Sequence, residues 1–78
     1  MDVSAADQWT MIKESQAKAH RLVESLLAQE RQMEANPPRL AAQKLAVGRE
    51  KFARAVASAR RAATAIDEAV AMAAVSHN

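Results

Sequence analysis

The sequence predicts an all-α protein, a two-helix antiparallel hairpin, on three observations. Two long proline-free runs flank a single Asn36-Pro37-Pro38 stretch. Apolar residues recur every three or four positions in both runs, which is the helical period. Alanine, the strongest helix former, dominates the second run. One domain over residues 1–78 follows, with helix one over about 5–35, a turn at 36–38 and helix two over about 38–75.

Helix one is expected to start at about Ala5, because Ser4-Ala5-Ala6-Asp7 resembles a capping box with aspartate in the glutamate role. Asp7 also suits the positive end of the helix dipole. Trp9, Ile12, Ala19, Leu22, Val23, Leu26, Leu27 and Met33 fall in one sector of about 140° at 100° per residue. Met11 widens it to about 160°, where about 100° suffices for a helix facing a core. Gln16 and Glu30 interrupt the sector. A single partner helix cannot cover so wide an arc, so either the hairpin dimerises or this helix carries a docking surface.

The turn follows from its prolines. Pro38 clashes with a continuing helix, and Asn36, preceding a proline, is driven out of the α region. Asn36 is read as the N-cap of helix two, with Pro37 and Pro38 in its first turn, where a missing donor costs nothing.

Helix two carries a seam of Ala41, Leu45, Gly48, Phe52, Ala55 or Val56, Ala59, Ala63, Ile66, Val70 and Ala73. Its steps alternate three and four, as in a left-handed antiparallel coiled-coil pair. Folding at Pro37 sets Leu26 opposite Gly48, Val23 opposite Phe52 and Trp9 near Ile66. Gly48 costs about 1 kcal/mol in a helix interior, and a close approach by helix one would explain its presence. The last turns, with Val70, Met72 and Val75, are expected to overhang, and residues 76–78 to fray.

Composition narrows the function. A chain of 78 residues with one Trp, one Phe and no Cys has a thin core and no disulfide. Small chains without such a staple lean on oligomerisation or a partner. Residues 1–10 carry two aspartates and no apolar h-region, so no secretory signal is read. The apolar tract 62–75 is short for a membrane span and holds Asp67 and Glu68, so a soluble cytoplasmic protein without membrane contact is expected. No cofactor, metal site or catalytic set is read. His20 and Glu24 share a helix face, but two groups do not complete a metal site, and His20 is taken as solvated.

Charge is polarised. Residues 1–36 sum to −2, residues 39–61 hold seven basic side chains against Glu50 for +6, and residues 62–78 sum to −2. Lys44, Lys51, Arg54 and Arg61 lie within about 100° on one side of helix two. Met11, Leu22, Leu26 and Met33 share one side of helix one, and Leu40, Val47 and Met72 form an outer stripe on helix two. Methionine is common on adaptable binding surfaces.

In length, in the Asn36-Pro37-Pro38 turn and in its apolar seams the chain resembles several groups of small bacterial helical hairpins. One comprises the QseM-type antiactivators of integrative conjugative elements, which bind a transcriptional activator and block it. Rop-type dimeric RNA-binding hairpins and the co-chaperones of type III secretion needles are similar in layout. The alanine- and arginine-rich usage is consistent with a GC-rich bacterial genome.

These features together lead us to expect a non-enzymatic regulator that occludes a partner protein. An antiactivator of a transcription factor is the most concrete form. The expected anchors are Met11, Leu22, Leu26, Met33, Leu40 and Val47, with Lys51, Arg54 and Arg61 steering the encounter. The alternatives are a dimeric four-helix bundle that binds RNA or DNA through the basic stripe, and a secretion-type co-chaperone.

Overall fold

A computed structural model describes residues 4–77. It is an all-α hairpin of two helices, α1 (Ala5–Ala35) and α2 (Ala42–His77). The hairpin is a rod of 54 × 22 × 19 Å with a radius of gyration of 17.6 Å. A globular chain of this length would have about 11.5 Å.

α1 begins and ends where the local sequence directs. The Ser4 hydroxyl accepts a hydrogen bond from the Asp7 backbone N–H at 3.1 Å and donates to the Asp7 carboxylate at 2.9 Å. Ser4 itself is extended, as an N-cap requires (φ −66°, ψ 159°). At the other end the Asn36 N–H donates to Gln32 O at 2.9 Å. Asn36 therefore closes α1, which corrects its reading as the N-cap of helix two.

α2 starts at Ala42, four residues later than expected, and the connector runs over residues 36–41. The Leu40 N–H turns back to Pro38 O at 2.9 Å, a γ-turn over Arg39. That bond turns the chain at Arg39, so the backbone does not continue as a helix from Pro38. The first helical bond is Leu45 N–H to Ala41 O at 3.0 Å, so the capping position is an alanine with no side-chain acceptor. α2 runs on to His77, two residues past the expected end.

The seam is a three–four repeat on both helices. On α1 it comprises the half-buried Trp9, Ile12, Gln16, Ala19, Val23, Leu26, Leu27, Glu30 and Met33. On α2 it comprises Phe52, Val56, Ala59, Ala63, Ile66, Val70 and Ala73, and the four buried residues among those described (Val56, Ala59, Ala63 and Val70) are all here. Val56 rather than Ala55 occupies the seam, while Ala41, Gly48 and Ala55 are exposed.

Register is the largest departure from expectation. Gln16 stands level with Asp67, to which it donates a 2.8 Å hydrogen bond, and Glu34 shares a cleft with Arg49. Relative to a fold at Pro37, α2 is displaced by about eight residues, or about 12 Å. Its first turns, Ala42 to about Val47, therefore project past the end of α1, and only the connector runs beside them. The overhang lies at the loop end and not at Val70, which is buried. Gly48 sits where the overhang begins, and a Cβ built on it meets nothing within 4 Å. The close approach expected there does not occur.

Candidate interaction surface

The hairpin has two unlike lateral sides. On the first, Asp67 of α2 receives two hydrogen bonds on Oδ1 from α1, each 2.8 Å long: one from Gln16 Nε2 and one from His20 Nε2. A carboxylate only accepts, so His20 carries its hydrogen on Nε2. The Gln16 bond foremost, then that of His20, holds the Asp67 carboxyl below the usual carboxylate range, and burial opposes them weakly. Farther along this side Glu30, Glu34, Arg49 and Ala53 line a cleft with Met33 and Phe52. Lys13 Nζ lies 6.0 Å from the Trp9 ring centroid.

The second side is apolar. Met11, Ile12 and Ser15 share a cleft there with Ile66 and Ala69. By helical phase Leu22, Leu26 and Met33 continue the same side of α1, and Gly48, Ala55, Ala62 and Ala69 that of α2. Those four small residues are spaced by seven and all are exposed. Met11 is 59% and Leu22 53% exposed.

The overhanging tip joins this side to the outer face of α2. Met33, Pro38, Leu40, Lys44, Leu45, Gly48 and Phe52 line one cleft with Arg49, and Gln43, Lys44, Val47, Gly48 and Lys51 line a second. The two share Lys44 and Gly48. Leu40 is 55% and Val47 46% exposed. The first turn of α2 has no acidic residue. Its free N–H groups and positive dipole end add to Arg39, Lys44, Arg49 and Lys51, so the tip is electropositive.

The nine anticipated contact residues do not form one patch. Met33, Leu40, Val47 and Lys51 converge at the tip. Met11 lies about 33 Å from Met33 along α1, and Leu22 and Leu26 lie between them on the apolar side. Arg54 and Arg61 sit higher on the outer face of α2 with partners inside the helix. Arg54 donates to Glu50 at 2.8 Å and Arg61 to the Ser58 hydroxyl at 3.1 Å.

Sequence reasoning missed Lys44, Leu45, Gly48 and Phe52 as lining residues of the tip. It also missed the Gln16–Asp67–His20 clamp, although Gln16 and Asp67 stood out as polar breaks in apolar stretches. Among the described residues no cluster of three metal-capable side chains occurs, and no helix is long and apolar enough to cross a membrane. Comparison with protein-family models, curated proteins and solved structures finds no match.

Proposed function

We propose that this chain is a small non-enzymatic regulatory protein that binds another protein through its loop-end tip and covers a functional surface of it. The observation that carries this reading is the projection of α2 beyond α1. It presents Leu40 and Val47 to solvent, with half-buried Leu45 in the cleft that Leu40 lines, inside a ring of Lys44, Arg49 and Lys51 to which Arg39 of the connector adds charge. Apolar anchors supply affinity, and the ring speeds encounter and fixes orientation. The partner surface that fits is an apolar segment flanked by carboxylates. The resemblance of the sequence in length and layout to QseM-type antiactivators favours the narrower form, in which the covered surface belongs to a transcriptional activator.

A photo-crosslinking residue at Val47, introduced in the native cells, tests this. A discrete protein adduct is expected, lost when Lys44 and Lys51 are both changed to glutamate and kept when Arg60 is. The double reversal should slow association at least about tenfold at low salt. If the adduct is nucleic acid, or if no protein is trapped, the reading fails. Increased output of the trapped activator's promoter in a deletion strain would establish the antiactivator form.

A further inference from the structure

We infer that the apolar lateral side is covered by a second copy of this chain, with α1 of each copy packed on α2 of the other and the two tips at the same end. This inference does not depend on what the tip binds.

The chain exposes 6285 Å², whereas a folded globular monomer of this mass exposes about 4,600 Å². The excess belongs to a rod of 54 × 22 × 19 Å with one bare side. That side offers on the order of 1,000 Å² per copy, or about 2,000 Å² for a pair, where obligate dimers begin.

On this side α1 carries bulky Met11, Leu22, Leu26 and Met33, and α2 carries Gly48, Ala55, Ala62 and Ala69. The register of the hairpin sets Met33 at the height of Gly48, Leu22 and Leu26 at the height of Ala55 and Ala62, and Met11 near Ala69, with which it shares a cleft. A two-fold axis along the rod brings α1 of one copy over α2 of the other without changing these heights. Each bulky residue then meets a small one, and the contact is isologous, repeated twice by symmetry. Small residues every seven positions stay on one side of a helix in a left-handed bundle and allow the shorter interaxial distances.

Lys44 and Lys51 stand on this side of α2 near the tip. Beyond Lys51 it holds only Ala55, Ala62, Ile66, Ala69 and Ala73 near its centre, so nothing charged is desolvated from Ala55 onward. The neighbouring helices run antiparallel, so residues 48–61 of one copy, with five basic side chains against Glu50, lie beside residues 21–36 of the other, with three acidic side chains against two basic. The alternative packing, with α2 on α2, sets small on small and bulky on bulky and leaves gaps.

Light scattering of purified full-length protein across a concentration series should give twice the chain mass; the chain mass at every concentration overturns the inference. Ala62→Glu adds charge at an exposed position and should yield the monomer, whereas a dimer unchanged by it overturns the choice of side. Because the monomer can unfold once separated, cross-linking supplies a second readout. The chain has no cysteine, so Leu22→Cys and Ala62→Cys proteins can be mixed and oxidised. A disulfide-linked mixed pair is expected to dominate; preferential linkage within each protein alone overturns the arrangement.

Discussion

From Val56 to Val70 the seam of α2 is buried against the half-buried seam of α1, while from Ala42 to Gly48 one helix stands almost alone. The closed stretch contains every buried residue among those described, and Asp67 of the polar clamp with Gln16 and His20. The open tip contains two solvent-facing clefts and a glycine with empty space around it. Both stretches are helical and rich in small residues, so composition does not separate them. Register does. A displacement of about 12 Å converts what would have been a matched hairpin into a packed shaft and a projecting end.

Adding carbon to a small residue should therefore have opposite signs in the two stretches. Ala63, 5% exposed, is the most covered residue of the shaft. Ala63→Leu should overpack it and cost about 1–3 kcal/mol. The urea midpoint would fall at unchanged slope, with protein concentration held fixed. Wild-type stability in that variant would mean the shaft is no tighter than the tip.

The helix starts offer a contrast of similar kind. Ser4→Ala removes the cap of α1 and should cost about 1 kcal/mol, whereas Ala41→Ser supplies α2 with the acceptor it lacks and should recover part of that amount. At the tip, Gly48→Ala should stabilise the single hairpin by about 0.5–1 kcal/mol, because the backbone is helical and the new methyl meets nothing within the chain. A loss on thermal unfolding would show that a neighbour, α1 or a second copy, closely approaches this glycine.

The smallest effect is expected from the clamp, and it is one of pH. The Asp67 carboxyl is held below its ordinary value of about 3.9. Its contribution to stability is complete above that value and disappears as pH falls through the lowered one. Asp67→Asn should flatten the acid side of the stability profile and leave its neutral and alkaline sides parallel to wild type. An unchanged acid limb would remove the clamp from the account of register.

Local chemistry made part of this legible in advance. Ser4 and Asp7 announced the start of α1 because a cap is made within four residues, and the three–four spacing announced the seam. The wide arc on α1 foretold that Met11 and Leu22 would stay uncovered. The start of α2 was misread because Pro37-Pro38 suits a first helical turn equally well, and only the bond from Leu40 to Pro38 decides against it. The register was hidden for another reason. It depends on which polar residue of one helix meets which of the other across some fifty positions, and alanine-rich seams accept several alignments. Above the tip, Arg54 and Arg61 belong to the basic stripe read from the sequence, but Glu50 and Ser58 lie within one turn of them and accept their hydrogen bonds.

The overhang also bears on the order of folding. A hairpin usually closes beside its turn, where the loop to be ordered is shortest. Here the segments nearest the turn have little to gain from meeting, because α2 has outrun α1. Closing a loop twice as long costs only about 0.6 kcal/mol more, less than the burial available at Val56 or Ala63. First contact would therefore form in the shaft and spread outward, with the tip joining last. Val56→Ala would then slow folding, while Leu45→Ala would leave the folding rate alone and quicken unfolding. The part of the molecule best exposed to a partner would be the last to take shape and the first to let go.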